Sequence, residues 1–172
     1  ASVHIIGKDI LRFHAVYWPA FLLAAKLPLP KKIYGHGWIL SGDEKMSKSK
    51  GNILDPIEII GQYGLDPLRY YLIKEVSFGN DGNISQERLE DCINSDLANN
   101  FGNLCQRVTA FAIKNCDGYI PNDIEFNDED LKILNKFKDN FELIKEKIEK
   151  FDLNFYIDFI VNTLFETNKY YN

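Results

Sequence analysis

Two long stretches in the second half of the sequence repeat apolar side chains every three or four residues, the spacing of one face of an α-helix. The first follows Asn127, a favourable N-cap residue, and the second begins at Asp152. A third helical stretch follows Ser85 and extends towards Cys116, with an interruption near Ser95. Because short segments connect these amphipathic helices, we expect an antiparallel helical bundle. The third stretch has a predicted buried stripe of Leu97, Phe101, Leu104, Val108 and Phe111.

The beginning of the chain follows a different pattern, in which a short apolar run and a glycine precede a helix. Residues 3–6 predict a buried strand that ends at Gly7. Residues 8–26 predict a helix with a kink at Pro19. Strand, glycine and helix in this order are typical of an α/β unit, which binds ligands at the carboxyl end of its strand.

Residues 33–40 alternate as a second strand. One face carries glycines at positions 35 and 37, where we expect another backbone or a flat ligand to pack closely. The other face carries Tyr34, His36, Trp38 and Leu40.

Two helices with proline in the first turn are predicted between the strands and the bundle. The first is capped by Asp55 and closed by Gly64, and the second starts with Asp66 and extends to about residue 76. Residues 79–83 predict a polar turn, and residues 118–127 predict a loop that joins two subdomains.

The composition excludes several classes of protein. The 172 residues carry a net charge of −5, so any binding of RNA or nucleotide must come from local basic patches. The three cysteines, Cys92, Cys105 and Cys116, form no CxxC pair and are expected to be reduced, buried helical side chains in a cytoplasmic protein. No apolar run is long enough to span a membrane, and we expect no signal peptide. Met46 is the only methionine, so we expect a fragment of a longer protein.

The segment KMSKSK at positions 45–50 places three lysines and two serines within six residues, between Gly42 and Gly51. It has no apolar periodicity, which predicts a loop in place of a helix or strand. Lysine ammonium groups, serine hydroxyls and backbone N–H groups together suit a polyanion such as a triphosphate. The alternative is a solvated surface loop.

Two further sets of residues share helix faces. His14 lies four residues after Ile10 and four before Trp18, and Asn103 lies four residues before Arg107. Spacing alone favours a packed core histidine for the first set and a solvated helix face for the second. The alternatives are the wall of an apolar ligand pocket and an outward-facing binding pair.

Five blocks of sequence resemble a known family. KMSKS, followed by Gly-Asn and a helix that starts with Asp-Pro, resembles the second signature of class I aminoacyl-tRNA synthetases. Three further blocks resemble methionyl-tRNA synthetases in particular and occur in the family's order: GKDILRFHAVYWPA at 7–20, YGHGW at 34–38 and DPLRYYL at 66–72. The segment 99–107 resembles the same family.

The resemblance implies a two-step reaction. Methionine and ATP, the latter with Mg²⁺, form methionyl-adenylate and pyrophosphate, and the methionyl group passes to tRNA(Met). It implies a mostly α fold in which the end of a Rossmann-like catalytic domain, residues 1–54, precedes a connector, residues 55–91. A helical anticodon-binding domain, residues 92–172, follows.

The resemblance also assigns roles to individual residues. Lys45 and Lys48, with Ser47 and Ser49, match the loop that stabilises the departing pyrophosphate. The positions that match the adenosine site are Gly7, Asp9, His36 and Ile39. Ile10 and His14 match the methionine pocket, and Asn103 and Arg107 match the helix positions that read the anticodon.

The sequence departs from the family pattern in two places. The His-x-Gly-His signature is absent, since Lys8 follows the glycine of HIIG, and no cysteine or histidine cluster suggests zinc or another metal. We therefore expect this chain alone to be inactive. A non-catalytic tRNA-binding module and another class I synthetase are the alternatives, and the oligomeric state is left open.

Overall fold

Most residues that the computed structural model describes, namely 2–42, 44–46, 54–122 and 124–171, are helical. No helix among these residues is long and apolar enough to cross a membrane. A 3₁₀ turn covers Lys8–Ile10, and π-helical segments cover Phe13–Tyr17 and Ile93–Gly102. The other elements, in chain order, are β1 (Val3–Gly7), α1 (Trp18–Ala24), β2 (Lys32–His36), β3 (Ile39–Ser41), β4 (Glu44–Lys45), α2 (Pro56–Tyr63), α3 (Leu65–Glu75), β5 (Gly82–Asn83), α4 (Gln86–Cys92), α5 (Asn103–Asn115), α6 (Asp128–Glu149) and α7 (Leu153–Tyr171).

Strands β1 and β2 form a parallel pair, and the predicted helix crosses between them. Their register places Val3 opposite Lys32 and Gly7 opposite His36. The crossing helix is irregular, because its π-helical turns end directly before α1, which has Pro19 in its first turn. Proline has no N–H to donate to the preceding turn, and a widened turn is a usual consequence. The predicted kink is therefore a π-helical segment upstream of the proline.

The single strand predicted over residues 33–40 is two strands in two sheets. β2 ends at His36, and β3 pairs with β4 antiparallel and with β5 parallel. Gly37 lies at the break, where a Cβ atom would come within 2.0 Å of the Asn80 carbonyl oxygen. The close approach of another backbone at this glycine was predicted from the sequence. The prediction that Tyr34, His36, Trp38 and Leu40 share one face of a single strand was wrong.

Two loop predictions in the same region also change. Residues 79–83 were predicted as a turn, yet they include β5, whose residue Gly82 lies opposite Ile39. Lys45 was predicted in a loop, yet it lies in β4 opposite Leu40. Both strands have only two residues, which is too short for a periodic pattern to appear in the sequence.

Helix caps follow the sequence closely. The side chain of Asp55 accepts a hydrogen bond from the Ile57 N–H at 2.7 Å, and Ser85 Oγ accepts one from the Arg88 N–H at 3.2 Å. Asn127 forms a capping box with Asp130. The exception is Asp66, which lies in the first turn of α3 and is not its cap, because Gly64 at φ 92° precedes that helix directly.

The predicted interruption near Ser95 is the second π-helical segment, which continues into α5 without a break. The predicted stripe is wrong in this stretch, because only Leu104 is buried, while Phe101, Val108 and Phe111 are each at least 45% exposed. Hydrogen bonds from i to i+5 put extra residues into each turn. The side chains that follow therefore leave the face that a regular 3.6-residue repeat predicts.

The buried cluster of the chain joins the small sheet to the helices. It contains Tyr71, Ile84, Leu89 and Cys92. Helices α6 and α7 pack against each other, and α7 also contacts α3 and the second π-helical segment. Of the three cysteines predicted to be buried, only Cys92 is; Cys105 is exposed and Cys116 is intermediate, since neither lies on a packed face.

Candidate functional site

Three residues that were predicted around adenosine meet at the carboxyl ends of β1 and β2. Gly7 ends β1 opposite His36, which ends β2. A Cβ atom on Gly7 would lie 2.6 Å from Asp9 Oδ1 and 4.0 Å from His36 Cε1. A side chain at position 7 would therefore displace the exposed Asp9 carboxylate, and glycine lets this carboxylate lie against the end of the sheet.

The fourth residue of that set, Ile39, begins β3, three residues after His36. Both line a cavity of about 190 Å³ between the β2–β3 junction and α3. His36 Nδ1 lies 2.9 Å from the Gly37 carbonyl oxygen, and this contact fixes the orientation of the ring. The remaining wall is mostly apolar and consists of Gly37, Leu72, Ile73, Val76, Phe78, Gly79, Asn80 and Leu153. The cavity therefore suits a flat apolar group with one or two polar atoms.

Lys45 lies beside this region on β4. Its Nζ atom is 4.3 Å from the centre of the Trp38 ring, and Lys8 Nζ lies at the same distance from that ring. Lys8 also forms an ion pair with Asp81. Hydrogen bonds from Lys8 and from the Trp38 N–H lower the pKa of Asp81 below its ordinary value. Two cations, one indole and one carboxylate therefore meet at the edge of the predicted nucleotide site. Ser47, Lys48 and Ser49 lie outside the described residues.

His14 lies in an open aromatic groove of about 400 Å³ and not in the core. Its Nδ1 atom is 3.0 Å from the Ile10 carbonyl oxygen. Ile10 itself is 40% exposed and does not line the groove. The other lining residues are His4, Phe13, Tyr17, Trp18 and Phe21. The spacing-based preference for a packed core histidine was therefore wrong, and the position fits an apolar pocket with a polar contact.

Asn103 and Arg107 share a polar groove of about 450 Å³ on the helical side of the molecule. The Arg107 guanidinium lies 4.8 Å from the centre of the Tyr171 ring, and the Tyr171 hydroxyl donates to the Arg107 carbonyl oxygen at 3.2 Å. The groove is completed by Ser95, Asn99, Asn100, Phe165 and Asn168.

The sequence did not reveal the residues that contact the site lysines and Arg107. Trp38 was placed on a strand face without a role, and Asp81 was placed in a turn. Tyr171 contacts a residue 64 positions earlier in the chain. No local pattern relates such partners, so nothing in the sequence could have paired them. Among the described residues, no group of three or more His, Cys, Asp or Glu side chains could hold a metal ion.

Comparison with known proteins decides the family. The family described as "tRNA synthetases class I (M)" matches residues 1–109. The chain belongs to this family. Among its relatives, the Methionine--tRNA ligase of Brucella suis biovar 1 is 46% identical over 171 residues, which are 99% of this chain and 33% of the relative. The Methionine--tRNA ligase of Mycobacterium leprae is 44% identical over 172 residues, which are 100% of this chain and 32% of that relative.

Solved structures of methionyl-tRNA synthetases agree with this assignment. The Mycobacterium tuberculosis methionyl-tRNA synthetase in complex with methionyl-adenylate superposes with a TM-score of 0.95 and 44% identity, over 99% of this chain and 34% of that one. The structure of the same protein in its apo form gives a TM-score of 0.89 and 40% identity, over 99% of this chain and 33% of that one. The chain thus spans about a quarter to a third of the length of the methionyl-tRNA synthetases it matches.

Proposed function

We propose that this chain is part of a methionyl-tRNA synthetase, which activates methionine with ATP and transfers the methionyl group to tRNA(Met). The observation that carries the proposal is the close superposition, over nearly the whole chain, on a synthetase that was solved with methionyl-adenylate. That ligand is the product of the first step, and it joins the two groups that the candidate sites would bind.

On the ATP side, the open end of the β1–β2 pair supports an adenosine site. Gly7 leaves space, the Asp9 carboxylate can accept hydrogen bonds from ribose hydroxyls, and His36 and Ile39 flank the adjacent cavity. ATP would arrive with Mg²⁺ as part of the substrate. Lys45 and Lys48 would place positive charge where negative charge develops on the departing pyrophosphate, which lowers the barrier to adenylate formation. Ser47 and Ser49 would add hydroxyl donors.

On the methionine side, the groove around His14 supports a thioether pocket. Aromatic walls favour contact with a polarizable sulfur atom, and the His14 ring offers one polar contact. Ile10 lies next to this groove through its carbonyl oxygen, 3.0 Å from His14. We propose that its side chain closes the pocket from the neighbouring turn.

On the tRNA side, Asn103 and Arg107 support recognition of the anticodon. An asparagine offers a donor and an acceptor, and a guanidinium can bond or stack with an unstacked base. Their shared groove lies on the helices of residues 92–172, which we propose as the anticodon-binding domain. Residues 1–54 would then belong to the catalytic domain and residues 55–91 to the connector.

The test of activation uses the complete protein, in a length that corresponds to its relatives, and measures methionine-dependent exchange of pyrophosphate into ATP. Lys48→Ala is expected to lower the rate by about 10²- to 10³-fold, because it removes a group that acts on the transition state. Lys31→Ala, an exposed lysine outside the site, is the control and should leave the rate unchanged. The present chain alone should show no exchange, and measurable exchange by it would contradict that expectation.

A second measurement separates the enzyme from a non-catalytic tRNA-binding module. Arg107→Ala should weaken binding of tRNA(Met) and leave pyrophosphate exchange unchanged. Lys114→Ala, an exposed cation on the same helix, is the control. If the complete protein binds tRNA(Met) but catalyses no exchange, the module is the correct alternative. If Arg107→Ala binds tRNA like the wild type, the anticodon assignment is wrong.

A further inference from the structure

Trp38 occupies the gap between β2 and β3, where the ammonium groups of two lysines converge on its ring. Lys8 reaches it from the end of β1 and Lys45 from β4, each with Nζ 4.3 Å from the ring centre. Cation–π contacts form within about 6 Å of a ring centroid, and tryptophan is the best aromatic partner. Both contacts therefore qualify by distance.

The two lysines differ in what else holds them. Lys8 Nζ donates to both carboxylate oxygens of Asp81, at 2.5 and 2.7 Å. Asp81 Oδ1 also accepts from the backbone N–H of Trp38 at 2.9 Å. Lys8, Asp81 and Trp38 therefore form a fixed unit, which is further restrained because Gly37 packs directly against the backbone of Asn80. Lys45, by contrast, is an exposed residue of a two-residue strand.

We infer that Trp38 is a positioning residue for Lys45, holding the Lys45 ammonium on its ring until a polyphosphate binds. The part of this inference that concerns polyphosphate rests on the proposed function, whereas the contact itself does not. Charge-assisted hydrogen bonds to phosphate oxygens are stronger than a partly exposed cation–π contact. A bound triphosphate or pyrophosphate therefore withdraws Lys45 from the ring, while Asp81 keeps Lys8 in place.

The contact between Trp38 and Lys45 is expected to weaken the binding of pyrophosphate. A contact made only in the ligand-free state lowers the fraction of molecules that are ready to bind, and its removal tightens binding. Trp38→Leu should therefore lower the Kd for pyrophosphate, by roughly two- to fivefold for a contact of the usual strength. Damage to the site would have the opposite sign and raise the Kd.

The first experiment tests the contact in this chain by NMR. Protons above an aromatic ring resonate upfield, so the ε-CH₂ protons of Lys45 should do so in the wild type. Trp38→Leu should abolish this shift and Trp38→Phe should retain part of it. Lys32 is the internal control, since its Nζ lies 4.8 Å from the centre of the Phe151 ring and should be unaffected. Lys45 protons at their random-coil position in the wild type would overturn the inference. If Trp38→Leu also shifts the Lys32 resonances, the shift of the Lys45 protons in Trp38→Phe decides the test.

The second experiment measures binding of inorganic pyrophosphate to the complete protein by calorimetry, with exchange activity measured in parallel. A lower Kd in Trp38→Leu, with an intermediate value in Trp38→Phe, supports the inference. An unchanged or higher Kd overturns it. If the protein neither binds pyrophosphate nor catalyses exchange while the NMR contact is present, the proposed function fails and the resting contact stands.

Discussion

The ion pair between Lys74 of α3 and Asp96 of the second π-helical segment allows a quantitative test of what holds these two helical elements together. The two side chains retain only 22% and 11% of their exposure. Asp96 also accepts hydrogen bonds from the Tyr70 hydroxyl at 2.7 Å and from Ser95 Oγ at 3.0 Å. Burial alone would raise the pKa of Asp96, but the bonds from Lys74, Tyr70 and Ser95 outweigh it and lower the pKa below 3.8.

Asp96→Asn removes the charge and keeps the size of the side chain. Breaking one partner of a buried ion pair costs about 3–5 kcal/mol, because the other charge stays buried without compensation. Lys74 keeps about a fifth of its exposure, and an asparagine oxygen can still accept from Tyr70. We therefore expect a loss at or below the low end of that range, about 2–3 kcal/mol, which is a large part of the stability of a typical domain, about 5–15 kcal/mol.

Urea unfolding of four proteins measures this effect: the wild type, Asp96→Asn, Lys74→Met and the double variant. The double variant leaves no buried charge alone, so its loss should be smaller than the sum of the single losses by at least about 1 kcal/mol. The matched control is Glu146→Gln in the exposed pair of Glu146 with Lys150, four residues apart at the C-terminal end of α6. That change should leave the unfolding midpoint unchanged.

The pH dependence of the unfolding free energy of the same proteins tests whether the ionised form of Asp96 is the stabilising one. A folded-state pKa below the unfolded value of 3.8 means that Asp96 stabilises the chain above that pH. Its contribution is lost as the pH falls through the folded-state pKa. The difference in unfolding free energy between the wild type and Asp96→Asn should therefore decrease below about pH 4. If Asp96→Asn unfolds at the same urea concentration as Glu146→Gln at pH 7, the reasoning from burial is refuted.

Three further substitutions test contacts that fix the fold, each by the same urea titration. Gly37→Ala should cost about 2–3 kcal/mol, since the new methyl group would meet the Asn80 backbone at 2.0 Å; a neutral result would mean that the β2–β3 junction does not need its close approach to the backbone at Asn80. Asn154→Ala should cost about 2–3 kcal/mol, because its side chain bonds to the backbone of α3 at Ile73 and to the Phe78 N–H. Asn127→Ala should cost about 1 kcal/mol through the loss of the α6 cap, and a larger loss would indicate a further role.

Helix starts could be predicted from the sequence because their determinants are local. Asp55, Ser85 and Asn127 each accept a hydrogen bond from an N–H two or three residues later. The residue type at one position and its distance to the next apolar repeat therefore contain the whole signal. Asp66 shows the limit, because Gly64, two residues earlier, had already closed the preceding helix and determined where α3 begins.

The strand over residues 33–40 could not be predicted correctly, because its break is caused by a distant segment. Gly82 and Ile84 donate to the carbonyl oxygens of Trp38 and Leu40 and draw β3 into the second sheet. The alternation of large and small side chains is the same in either sheet, so periodicity does not reveal the break. The position of Trp38 beside both lysines follows from that break, and it was missed for the same reason.

The largest failure of the hydrophobic pattern lies next to the groove that we assign to tRNA. The second π-helical segment buries Asn100, which is 8% exposed, and its side chain donates to the Val161 carbonyl oxygen at 3.1 Å. Asn168 donates in turn to the backbone and side-chain oxygens of Asn100, at 2.9 and 2.8 Å. These bonds hold α7 against the widened turns, and the end of α7 brings Tyr171 to Arg107. π-helical turns occur frequently at functional sites, because an extra residue in the turn changes which side chains face the groove. The same departure from the 3.6-residue repeat that exposes Phe101 thus places an asparagine, and not an apolar side chain, where the two helices join.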